Sequence, residues 1–216
     1  MKLLFVRSAR SIWLLPFTYL NPRGKALGPA VGALVARYQF AKSPDQASLA
    51  DAKSLKFEQG VFVGAGGVPI TVGLTVHGDG FIAETQSSTD DSDAFLDDAL
   101  TWVSESFDLP KHTDFPVKRL HASDVYVEMD SDLRVFSEQF MRFFEDLAYT
   151  LDPEGKKPMG LINFTLGNDP ASERPMTFRL EREAGSPMSM NHYYSYAPTG
   201  TESHLLLLER LESFAK

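Results

Sequence analysis

The chain carries five histidines, at positions 77, 112, 121, 192 and 204, and no two of them stand three to five residues apart. A metal centre built on one helix or loop needs that spacing to bring two imidazoles to one ion. There is no cysteine, which excludes disulfides, thiolate zinc sites, cysteine nucleophiles and iron–sulfur clusters. No Gly-x-Ser-x-Gly elbow, Walker lysine or dinucleotide fingerprint is present. The glycines of 64–67 follow a strand pattern as a phosphate loop would, but they lead into Val68-Pro69-Ile70 and a second strand rather than into a helix whose N–H groups could face an anion. The acidic run Asp90, Asp91, Asp93, Asp97 and Asp98 lacks the central glycine and closing glutamate of a calcium loop. It reads as helix-dipole complementarity on a solvated face. No metal and no cofactor is therefore expected.

One local cluster stands out. In the segment 188–196, MSMNHYYSY, strand alternation places Met188, Met190, His192, Tyr194 and Tyr196 on one face. Polarisable, aromatic and titratable groups together could line a pocket holding His192, Tyr194 and Tyr196, with His192 as acid or base. The plainer possibility is a sheet face packed under a helix, its polar tips hydrogen-bonded at the edge.

Charge supplies the second feature. Residues 1–44 hold seven basic side chains (Lys2, Arg7, Arg10, Arg23, Lys25, Arg37, Lys42) and no acid, whereas the rest holds 14 basic and all 29 acidic residues, for a net charge of −8. A basic segment of this kind can lie on its own acidic body, reach a neighbouring copy, contact nucleic acid or an anionic membrane, or act as a targeting segment. The acidic remainder would repel phosphates, so nucleic acid is disfavoured. The apolar run 11–20 is broken by Pro16 and too short to span a bilayer, so no transmembrane segment is expected. Trp13, Phe17 and Tyr19 lie beside Arg10, Arg23 and Lys25, the residue types that dominate protein interfaces.

The elements that must position these side chains are marked by period and turn chemistry. Ile70, Val72, Leu74 and Val76 alternate as a half-buried strand. His77-Gly78-Asp79-Gly80 offers glycines for a hairpin turn at positive φ, Phe81–Gln86 returns, and Lys56–Val63 forms a third strand. Ser88 caps a helix with its stripe on Leu96, Leu100, Val103 and Phe107, stopped at Pro110. A strand over 120–129 puts Val125, Val127 and Met129 on one face. Asp130 or Ser131 opens a helix whose Leu133, Phe136, Phe140, Phe143, Phe144, Leu147 and Leu151 read as a core stripe. Strands over 160–166, 176–183 and 188–196 precede a final helix with Leu205, Leu208 and Leu211 inward.

The expected fold class is α+β, with antiparallel β-meanders packed by three main helices. The expected organisation is a basic, aromatic N-terminal segment over 1–44 and a single acidic body over 45–216. Residues 34–107 and 119–215 are expected to share one plan: strand, helix or loop, three strands, helix. Function follows as a non-enzymatic protein-interaction or assembly subunit, cytoplasmic, acting on a protein partner or by self-association through Arg10, Trp13, Phe17, Tyr19, Arg23 and Lys25. Two different functions also fit these residues: an enzyme with His192 or His77 in a cleft, and an acidic inhibitor that masks a basic partner with the helix from Asp90 to Asp108.

Overall fold

The structure is a computed structural model that describes residues 1–44, 54–64, 66–130, 133, 138–152, 154–155, 161–169, 171 and 176–214. The chain mixes helices with antiparallel strands, as its periodicities require, and divides into two compact units.

The first unit comprises Val6–Ser123 and Pro198–Thr201. Its strands are β1 (Lys2–Leu14, from Val6 onward), β2 (Ser54–Val63), β3 (Pro69–His77) and β4 (Gly80–Thr85). They pair in the order β2-β3-β4-β1. Antiparallel registers run from Ser54↔His77 to Val63↔Pro69, from Val72↔Thr85 to His77↔Gly80, and from Ala9↔Thr85 to Leu14↔Gly80. Its helices among the described residues are α1 (Phe17–Leu20), α2 (Gly28–Tyr38) and α3 (Thr89–Phe107). Trp13, Phe57, Leu74, Phe81, Phe95 and Leu96 are buried together as the unit's core.

Ala9, Ser11 and Trp13 are buried at strand spacing, so the N-terminal residues are a strand of the unit's sheet. The strand expected at the start of 34–107 is instead the end of α2. Pro29 suits a first helical turn, and Val31, Leu34 and Tyr38 follow at offsets of three and four. Gln39, at φ 53°, then ends the helix.

The hairpin at 78–79 forms, but none of its residues takes a positive φ. Glycine is needed at 80 for another reason. A Cβ there would lie 2.4 Å from the Trp13 carbonyl oxygen and 3.2 Å from Leu14 Cα, where only backbone stands in the way. Ser88 caps α3 as its sequence predicts, its hydroxyl accepting from the Asp91 N–H at 3.0 Å.

The second unit comprises Met1–Phe5, Asp124–Ala197 and Glu202–Lys216. It holds β5 (Lys118–Glu128, from Asp124), α4 (Glu138–Leu151), β6 (Asn163–Gly167), β7 (Thr177–Arg182), β8 (His192–Ala197) and α5 (Thr201–Ser213, from Glu202). The strand order is β5-β8-β7-β6. Val125, Val127, Leu180, Tyr193, Ala197 and Leu208 are buried. Arg182 is buried with them, donating to the carbonyls of Met188 and Leu161 at 2.7 and 3.3 Å and to the Tyr193 hydroxyl.

Two expectations change in this unit. On α4, Phe143, Leu147 and Leu151 are exposed, so this part of the stripe is not core; helical period shows which residues share a face but not what lies against it. Ser131 and Phe136 lie outside the described residues, as do the side chains of Phe140 and Phe144 and the strand start at Gly160. Met188 and Met190 do not extend β8. They form a 3-10 turn between Pro187 and Asn191, and Asn191 at φ 49° breaks the extended run. Among the described residues, no helix is long and apolar enough to cross a membrane.

Candidate functional site

Alternation along β8 sends Tyr193, Ser195 and Ala197 to the face covered by α5. There His204 Nε2 stands 2.9 Å from Ser195 Oγ, and its ring meets Phe178 edge-on at 6.0 Å. His192, Tyr194 and Tyr196 therefore project from the opposite side of the sheet. Register sets Arg179 beside Tyr196 and Glu181 beside Tyr194, with Thr165 and Asn163 next across β6. Arg179, Glu181, Thr165 and Asn163 are all exposed, which leaves this an open sheet face.

The three residues named from sequence are brought together, and four that sequence did not single out join them. Tyr126, on β5, stacks on Tyr194 at 4.6 Å between ring centroids and meets His192 edge-on at 5.5 Å. Phe5 lies 5.0 Å from the Tyr126 ring and is 47% exposed. Glu183 and Ser186, from the turn after β7, complete a polar network. The Tyr126 hydroxyl donates to Glu183 Oε2 at 2.6 Å and lies 2.9 Å from His192 Nδ1, while the Ser186 hydroxyl also donates to Glu183 Oε2.

The single hydroxyl proton of Tyr126 is thus committed to the carboxylate, so the contact with His192 requires a hydrogen on Nδ1. That Nδ1–H also faces Glu183 Oε2 at 3.3 Å. In the neutral ring Nε2 then keeps its lone pair. Burial first, and the Glu183 carboxylate second, push the Tyr126 hydroxyl above its ordinary range. Hydrogen bonds from Ser186, then Tyr126, hold Glu183 below the usual carboxylate range. Near neutral pH the network is a charged carboxylate fed by two hydroxyl donors. It fixes the ring orientations and presents an aromatic surface.

The six N-terminal candidates do not form one patch. Arg10 and Trp13 sit at opposite parity on β1. Arg10 Nε pairs with Glu84 Oε2 at 3.0 Å, directly across the strand pair. Trp13 is fully buried: its indole N–H donates to Asp93 Oδ1 at 2.7 Å, and the Arg119 guanidinium lies 4.1 Å over its ring. It is inaccessible to a partner in this fold. Phe17 is half-buried near Phe81, and Tyr19 is exposed with its ring 5.3 Å from Phe115. Lys25 Nζ donates to the carbonyls of Phe107 and Asp108, each at 2.8 Å. Arg23 is exposed and makes no hydrogen bond or ion pair among the described residues.

His77 closes β3 half-buried, with no carboxylate paired to it among the described residues. The acidic helix, in contrast, is well supplied with partners. On α3, Asp93 also takes His121 Nε2 at 2.8 Å, Asp97 takes His112 Nε2 at 3.0 Å, and Asp98 takes Tyr38 and Arg37. These three carboxylates are thus engaged inside the first unit, as are Asp91 with the Ser88 hydroxyl and Glu105 with Lys111.

No protein-family model matches the chain, and no curated protein matches it. Among solved structures it is similar to Methanococcus jannaschii TBP, with 7% identity and a TM-score of 0.48 over 99% of this chain and 97% of that one.

Proposed function

We propose that the chain is a non-catalytic assembly subunit that binds protein through the open sheet face of its second unit. The N-terminal segment contributes through Phe5 rather than through its basic charges. The observation that carries this reading is the aromatic stack on the sheet side opposite α5, in which half-buried Tyr194 lies on buried Tyr126 with exposed Phe5 beside it. Rigid aromatic rings on a fixed strand framework lose little conformational entropy on binding, and Tyr and Arg are enriched where interfaces concentrate their energy. The face also carries both charge signs, Arg179 beside Glu181. A surface with both signs can match a second copy of itself across a two-fold axis, which makes self-association the form to test first. The matching strand orders of the two units support reading both as copies of one plan.

The test is light scattering across a concentration series on the wild type, on Phe5→Ala with Tyr196→Ala, and on Leu206→Ala, an exposed residue of α5. The wild type and Leu206→Ala are expected to form the same oligomer. The double variant should dissociate with a constant raised roughly 30-fold or more, as loss of an aromatic anchor implies. A wild type that stays monomeric at every concentration would overturn the reading.

A further inference from the structure

The core of the first unit is not filled. A cavity of about 80 Å³ lies between α2, α3 and the strands, walled by Leu20, Val31, Leu34, Phe57, Leu100 and Leu109 among others. Among the described residues Ser104 is the one polar side chain in its wall, and its hydroxyl is already committed to the Leu109 carbonyl at 2.7 Å. A space with no free polar partner stays dry and takes up apolar matter; an engineered hydrocarbon-lined cavity of ~150 Å³ binds benzene or xenon. This one has room for a short alkyl group.

The cleft beside it is chemically different. Leu109 and Pro110 belong equally to a second, polar cleft of about 320 Å³ lined by Asn21, Pro22, Arg23, Lys25 and Asp108. The segment from Leu20 to Leu27 thus gives its apolar residues to the inner cavity and its cations to the outer cleft. Lys25 is held by the carbonyls at the end of α3 and stands 3.7 Å from the Asp108 carboxylate, whose side chain is almost fully exposed. Arg23 has neither an acid nor a carbonyl to satisfy it among the described residues. A guanidinium left open beside a dry apolar hole is matched by a molecule with an anionic head and a short hydrocarbon tail.

We propose that the first unit binds a short-chain anionic amphiphile, its alkyl end in the apolar cavity and its anionic head on Arg23 at the polar cleft. The site is separate from the aromatic sheet face and does not depend on the assembly reading.

Isothermal titration of the full chain with butanoate, hexanoate, octanoate, octanol and octyl phosphate tests it. Affinity should rise about fourfold for each methylene that enters the cavity and then level off. Octanoate or octyl phosphate should bind at least tenfold tighter than octanol, and which of the two binds better identifies the head group. Arg23→Gln, at an exposed position, should bring the anions down to the octanol affinity. Asp108→Asn, which removes the carboxylate among the described residues of the cleft, should tighten them. Ala30→Leu, which grows into the cavity from α2, should abolish binding of all five; should that variant misfold, Arg23→Gln and the chain-length series still decide. No saturable binding, an affinity indifferent to chain length, or anion binding unchanged by Arg23→Gln would each overturn the proposal.

Discussion

His204 shows how much one buried side chain can set. It is fully buried against Ser195, whose hydroxyl donates to the Arg179 carbonyl at 3.0 Å and so must accept from the imidazole Nε2–H. Burial lowers its pKa to about 4, against an ordinary value of 6.5. The folded state therefore resists the proton that the unfolded chain takes up. The stability this residue supports is whole above pH 6.5 and is lost as the pH falls from 6.5 to about 4, the full loss being roughly 3 kcal/mol. Urea unfolding across that range should show the loss, and His204→Gln, which can still donate to Ser195, should flatten it. The sequence marked His192 and passed over His204, because both are lone histidines in apolar surroundings and only the parity of β8 against α5 separates them. Tyr194 and Tyr196 were legible as companions of His192 from alternation alone. Tyr126, Glu183, Ser186 and Phe5 were not, since they reach the site from three other segments through pairing that no local pattern encodes.

At the scale of elements, legibility followed the strength of the local signal. The 69–85 hairpin and α3 announce themselves by alternation, glycine and a capping serine, and they form where the sequence puts them. The first strand was hidden. Its inward residues, Ala9, Ser11 and Trp13, are mostly small or polar, and the arginines on it suggest surface charge instead. The hairpin also shows a signal that is right for a different reason. Gly80 is demanded by the Trp13 carbonyl pressed against it, not by turn conformation. Gly80→Ala should cost about 1–3 kcal/mol, the range for forcing atoms into an occupied space. Gly78→Ala, where an added Cβ meets nothing within 4 Å, should be close to neutral. Chemical denaturation of both variants checks the contrast.

For the whole molecule, the division of charge along the chain is not its division in the fold. Arg10, Lys25, Arg37 and Lys42 face Glu84, Asp108, Asp98 and Glu58, so at least four of the seven N-terminal cations are spent within the first unit. Such half-exposed pairs contribute little, and Arg10→Gln should change stability by less than about 1 kcal/mol in a urea titration. A second partition runs between the units and concerns light rather than charge. The chain has two tryptophans, Trp13 and Trp102, and both belong to the first unit. Of its seven tyrosines, Tyr126, Tyr149, Tyr193, Tyr194 and Tyr196 belong to the second. Indole emission therefore reports on the unit with the apolar cavity, and phenol absorption is weighted toward the unit with the aromatic face. An unlabelled sample thus carries a separate optical channel for each half of its own unfolding.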